Sequence, residues 1–345
     1  MEEERRTRRV QTSAALLILG ILSVVALMVG CAVGSAAIPL DQVARTLMDR
    51  IMSREVQDET NALIIFGIRL PRALLSFSVG AALSVSGACM QGLFKNSMAD
   101  PHILGVSSGA ALGAALAMIL GWQSTALGLG AVTLAAFMGG ALSVVLVVNL
   151  ARVRGRTSTI SLLLAGVAVS AFLSALMSGL MLLNRDKLEN VYLWTMGSFT
   201  SSSWNKVWCC LPVTVLGAIA LRAYARDLNA MLMGEEEARS LGVAVERVRL
   251  VVLALCTVLT ATAVSVSGVI GFVGLMVPHA VRMMVGPDHR SLIPVSVVAG
   301  GLYLLIIDTL ARTVAMPIEI PVGVLTSVVG GPFFLYLMRK SRTEE

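Results

Sequence analysis

Long apolar runs return along the whole chain, and they constrain its fold more than any single motif does. They lie at 14–37, 73–94, 103–121, 125–150, 158–183, 204–221, 248–270, 271–286, 292–311 and 320–338. A bilayer's hydrocarbon core is about 30 Å thick, so one helical crossing takes roughly 20 apolar residues. Charged residues make up 14% of the chain and hydrophobic ones 56%, whereas a soluble domain carries about 25% charged residues. The alternating ten-residue segments of a membrane barrel are absent. The expected fold class is therefore all-α: a polytopic membrane protein of ten transmembrane helices in a single domain, 1–345. The first run follows "RRTRR", as a signal peptide would. Its 24 residues are too many for the apolar core of a signal, so it reads as a retained span.

Residues 248–286 carry no polar loop. As one helix they would reach about 58 Å, nearly twice the hydrocarbon core. Gly268, Gly271, Gly274, Pro278 and Gly286 supply breaks, and the segment must fold back on itself. Irregular backbone at that depth is tolerated only under cover of protein or beside a water-filled cavity. Ten crossings with both tails cytoplasmic leave 1–13, 95–102, 151–157, 222–247, 282–291 and 339–345 inside. With Arg249 at a helix end, these segments hold 18 of the 27 Lys and Arg residues. That bias fixes orientation. It also accounts for the net charge of +6 through topology, and no nucleic-acid partner is expected.

The chain lacks the means to power transport alone. None of its four lysines (Lys95, Lys187, Lys206, Lys340) follows a glycine, so a phosphate-binding G-K-[ST] loop is excluded. No cofactor or metal is expected on this chain. Its five cysteines form no C-x-x-C pair, and His102, His279 and His289 fall beside loops or helix ends. Among span residues only Asp308 is a serious coupling carboxylate, and Arg312 stands one helical turn away to pair with it. Two readings stay open: a subunit that borrows its energy, or a self-contained secondary carrier or channel with broken helices.

Two inner segments stand out. In "NSMADPHILGVSSGAALGA" (96–114), Pro101 holds its predecessor out of helical geometry and suits the start of the next helix. Gly105, Gly109 and Gly113 then form a small-residue stripe suited to close helix packing. The loop 222–247 is too polar to cross and has helix-forming composition, with Gly234 and Gly242 dividing it. It is either a solvated linker or a docking surface. In the second case Gly234, Ala238 and Gly242 would sit in the contact, with Glu235 and Arg239 at its charged edge.

"RLPRALLSFSVGAALSVSGACMQGLFKNSMADPHILGVSSGA", "GEEEARSLGV", "SGVIGFVGLMVPHAVRMMVGPDHRSLIPVS" and "EIPVGVLTSVVGGPFF" together resemble the FecCD family, the permeases of iron-chelate and cobalamin ABC importers. The likeness runs from about Arg69 to Met338. It departs from the family at Ser97-Met98, where members usually read Pro-Leu. The resemblance implies a type II importer permease in the bacterial or archaeal cytoplasmic (inner) membrane. It works as a pair, either a homodimer or with a paralogue, on two ATPase subunits that bind ATP and Mg. An extracytoplasmic binding protein, periplasmic or lipid-anchored, delivers the cargo. The cargo would be an iron chelate, with ferric siderophore favoured over haem or cobalamin. It implies a cytoplasmic gate at Asn96, Met98, Ser158 and Thr159, and a pathway lined by Gly166 in the fifth span. ATPase coupling would run through Gly234, Glu235, Ala238, Arg239 and Gly242. On the outer face Arg69, Arg72 and Arg312, with Asp308 orienting Arg312, would dock the binding protein with their heads in water. The alternative role for these arginines is anchorage at the membrane interface.

Overall fold

The computed structural model describes residues 2–34, 36–54, 58–122, 125–126, 128–153 and 156–341. The helices are α1 (Glu2–Ala32), α2 (Leu40–Ile51), α3 (Glu59–Ile64), α4 (Leu70–Leu93), α5 (Val106–Ile119), α6 (Ala131–Ala151), α7 (Thr159–Leu183) and α8 (Leu188–Thr195). They continue with α9 (Trp204–Ala223), α10 (Ala225–Met233), α11 (Glu235–Ser240), α12 (Val245–Ser267), α13 (Val273–Val285), α14 (His289–Ala311) and α15 (Val322–Ser341). Two minimal antiparallel hairpins join helices: Thr125–Ala126 with Leu129–Gly130, and Arg152–Val153 with Arg156–Thr157.

Among the described residues, seven helical stretches are long and apolar enough to cross a membrane: Val10–Ala32, Glu59–Leu93, α6, α7, α9, α12 and α14. Three shorter apolar helices, α5, α13 and the Val322–Tyr336 part of α15, fall on the other three expected runs. Their shortness has local causes. Gly105 takes a left-handed backbone (φ 80°), which Gly adopts without steric cost. It ends a 3-10 turn, Pro101–Leu104, before α5 begins. Ahead of α13, residues 268–272 are not helical.

The central helix is α4, buried over almost its whole length. A Cβ on Gly80 would overlap the Gly300 carbonyl of α14, and one on Gly87 would overlap the Gly274 carbonyl of α13. Lipid tails are as apolar as leucine, so such small-residue contacts supply the dispersion that binds helices in a membrane. Gly109 and Gly113 meet the Gly139 and Ala135 carbonyls of α6 in the same way, the packing expected of them. Gly105 stands outside that stripe.

The fold-back after α12 is covered by protein. The Ser267 carbonyl accepts from the Ser198 amide at 2.7 Å. The Ile270 carbonyl pairs with His102 Nε2 at 3.0 Å, and Gly268 itself turns at φ 75° against the Trp194 carbonyl. The expected loop 38–72 is the main departure from the sequence reading. It holds the amphipathic α2, and α3 runs through a π-helical stretch, Ile65–Arg69, straight into α4.

Candidate functional site

The conspicuous polar side chains gather at two ends of the bundle. At one end α1, α4 and α14 meet. Arg72 donates from Nε and Nη2 to Asp308 (2.9–3.1 Å), and from Nη1 to both oxygens of Glu319 (3.0 and 3.1 Å). Arg69 donates through Nη1 to the Cys31 and Ala32 carbonyls at 2.7 and 2.8 Å, and through Nη2 to Ala36 O. Arg312 donates to Gly30 O. Carbonyls at a helix C-terminus lack intrahelical partners and carry partial negative charge, so Arg69 and Arg312 close the end of α1.

This arrangement corrects two expectations. The heads of Arg69, Arg72 and Arg312 are not in water; all three residues are buried, because each has found a partner inside the chain. Asp308, with no exposed surface, serves Arg72 rather than orienting Arg312. Glu319 was not singled out from the sequence, since nothing local tied it to a residue 247 positions away. It also borders a cleft of about 600 Å³ lined by Asn190, Ser198, Thr200, Ser265 and Ser267.

At the other end lie the expected gate residues. Asn96 builds its own turn: its Oδ1 accepts from the Met98 amide at 2.8 Å and its carbonyl from Ala99 at 3.1 Å. An Asx turn of this kind does the work of a proline turn, which is why Ser97-Met98 is accommodated. Asp100 caps the following 3-10 turn through the His102 amide at 2.8 Å. Met98 is exposed. Ser158 caps α7 by accepting from the Ser161 amide at 3.0 Å, with Thr159 beside it. Gly166 faces the interior of its own chain. It is buried, and a Cβ there would overlap the Ile103 carbonyl; it lets α7 lie against the 101–104 turn.

The loop expected to couple forms α10 and α11. Gly234 stands at the start of α11. At its end Gly242 (φ 86°) lets its own amide reach Arg239 O and the Val243 amide reach Ala238 O, a glycine-closed helix end. Ala238 is fully buried within the chain, which corrects its expected place in an external contact. Glu235 and Arg239 pair at 3.2 Å on the surface, and Met233 and Leu241 stand exposed on either side of α11. Asn229 of α10 clasps the start of α14. It donates to Asp288 Oδ1 at 2.6 Å and accepts from the His289 amide at 2.9 Å. Burial works to raise the Asp288 carboxyl, but bonds from the Arg290 amide and Asn229 bring it below the usual range.

Sequence reasoning passed over Arg249, counting it as a loop end. It is 2% exposed and donates to Glu246 Oε1 at 2.9 Å, to Glu235 Oε1 and to the Thr157 carbonyl. The signal was available: an arginine one residue inside an apolar run needs a partner.

Residues 17–340 match the FecCD transport family. The chain is 49% identical to the cobalamin import system permease protein BtuC of Halobacterium salinarum over 81% of this chain and 74% of the relative. It is 41% identical to the hemin transport system permease protein HmuU of Yersinia pestis over 95% and 97%. A solved inward-facing structure of a metal-chelate type ABC transporter superposes with TM-score 0.82 at 33% identity, covering 94% of this chain and 98% of that one.

Proposed function

The chain belongs to the FecCD transport family, and from that premise we propose that it is the membrane-spanning permease of an ABC importer for a bulky metal chelate. It crosses the cytoplasmic membrane ten times with both tails inside. It pairs with a second copy or a paralogue, sits on two ATPase subunits and receives cargo from an extracytoplasmic binding protein. The observation that carries this reading is the α10–α11 elbow. Its inner face (Leu228, Met231, Ala238) is buried in the bundle, while Met233 and Leu241 project from its rim. A polar loop held this firmly, with two apolar side chains left outside, is shaped to seat in a soluble partner.

A self-contained carrier would need a free intramembrane charge, and Asp308 is committed to Arg72. The buried outer arginines support bracing of the docking rim rather than direct pairing with the binding protein. On cargo, the cobalamin and hemin relatives at 49% and 41% identity stand above the iron(3+)-hydroxamate permease FhuG of Bacillus subtilis at 39%. We place a metal tetrapyrrole ahead of the ferric siderophore favoured by sequence alone.

Met233→Asp with Leu241→Asp should abolish co-purification of the ATPase while leaving the permease folded and monodisperse in detergent. Full retention of the ATPase would overturn the docking role. Titrating the cognate binding protein with cyanocobalamin, haemin and a ferric siderophore decides the cargo.

A further inference from the structure

Arg249 has no role in anything described so far, yet it is the largest side chain buried almost completely among the described residues. A buried charge is retained at a desolvation cost that its partners only roughly offset, so its geometry is more informative than its energy. Its guanidinium holds three segments that are separate in the chain. One is α11, through Glu235. The second is its own helix α12, through Glu246. The third is the carbonyl of Thr157. Glu246 completes the grip, since its Oε2 accepts from the Thr157 hydroxyl at 3.0 Å and the Thr157 amide at 3.3 Å. Thr157 is thus held by its amide, its carbonyl and its side chain. The next residue, Ser158, is the cap of α7.

We propose that Arg249 is the joint through which displacement of α11 reaches the foot of α7, making it a positioning residue for the gate at Ser158 and Thr159. The inference rests on the reading of α11 as the ATPase-facing element. A planar fork with fixed donor directions suits this task, because it constrains the orientation of its partners as well as their distance. The joint is also built to change. Glu235 and Glu246 keep 40% and 32% of their side-chain surface in water, so either can be released without stranding a buried charge. The Arg249 Nε is buried with no hydrogen-bond partner, leaving a spare donor for a second arrangement. Glu235 is shared with Arg239 on the surface of α11, so a partner that engages Arg239 alters the grip on Arg249. Coupling of this kind requires an element with two arrangements that both sites bias, and exchange of the water-reaching carboxylates on Arg249 would supply the second.

The test uses the whole complex, permease with its ATPase, in proteoliposomes. A thiol is introduced by Ile160→Cys on the exposed first turn of α7, in a Cys209→Ser background that removes a partly exposed thiol, and its maleimide labelling rate is compared without nucleotide and with Mg-ATP plus vanadate. In the otherwise native chain the rate should change at least threefold between the two states. Arg249→Met should keep ATPase co-purification and hydrolysis within about twofold of native but abolish the nucleotide-dependent change in labelling. Arg249→Lys, which keeps the charge and loses the fork, should restore part of it. Glu235→Gln leaves Arg249 paired with Glu246 and Thr157 and should weaken the response, even if Arg249→Met fails to fold. An undiminished labelling change in Arg249→Met, or in Glu235→Gln where only that variant folds, overturns the joint. Loss of ATPase binding in both variants, with labelling unresponsive in step, would mean that Arg249 only shapes the docking surface. Absence of ATPase binding in the native chain would instead overturn the parent reading, and the joint with it.

Discussion

The two ends of the bundle use the same chemistry, arginine against carboxylate and carbonyl, to opposite effect. At the Arg72 end the acceptors are a fully buried carboxylate, Asp308, the fixed backbone carbonyls that close α1, and Glu319, which alone among them reaches water. Releasing Asp308 or a carbonyl of α1 leaves a buried charge or a helix end without a partner, so these contacts lock α1, α4 and α14 together. At the Arg249 end the acceptors are two carboxylates that reach water and one hairpin carbonyl. Those can be exchanged at modest cost. The lesson is that burial of the acceptor, more than burial of the arginine, decides whether such a cluster is a brace or a joint.

The largest effect expected is at the brace. Arg72→Met strands Asp308 and should cost about 3–5 kcal/mol, read as a collapse of folded yield and of the thermal midpoint in detergent. Adding Asp308→Leu should recover most of it, because removing a whole buried pair is often close to neutral. Arg249→Met should lower the midpoint far less than Arg72→Met does. Equal losses at the two ends would break the comparison.

An intermediate effect separates packing from gating on α7. Gly166→Val should destabilise by about 1–3 kcal/mol through overpacking against the Ile103 carbonyl. Thr159→Trp should leave the thermal midpoint unchanged and stop uptake. If Gly166→Val folds normally and Thr159→Trp does not, the assignments are reversed.

The smallest effect concerns Asp288, whose carboxyl is held below the usual range when folded. A depressed carboxylate contributes stability that is fully present above its unfolded value, about 3.9, and is lost as the pH falls through the folded value. The clasp of α10 on α14 should therefore loosen only in that acid window. Asp288→Asn should flatten the pH dependence of the thermal midpoint there and lower the midpoint slightly at neutral pH, where the carboxylate's contribution is fully present.

Ten apolar runs, the break near Gly268 and the elbow between Gly234 and Gly242 were legible in the sequence because each follows from local composition. Residues 14–37 became Val10–Ala32, since what ends α1 is Arg69, far along the chain. The amphipathic α2 was invisible to a search for crossings: its 12 residues are too few and too polar. Asn96, Ser158 and the α11 glycines kept local roles that their types predict. The arginines did not, because the choice between water, a neighbouring carboxylate and a remote carbonyl is made by tertiary packing. Arg69 and Arg312 read as interface residues for that reason, whereas Arg249 read as a helix-end charge although its place one residue inside an apolar run already called for a partner.

The most direct measurement is a distance. Nitroxide labels at Glu237→Cys on α11 and Ile160→Cys on α7, with Cys209→Ser to remove a partly exposed thiol, report by pulsed electron resonance on the assembled complex. If Arg249 joins the two elements, their separation should be narrow in each state and differ between the nucleotide-free and ATP-trapped states, and should become broad and insensitive to nucleotide in Arg249→Met. A native separation that shifts by several ångströms on ATP binding, with the same distribution in Arg249→Met, would contradict the account.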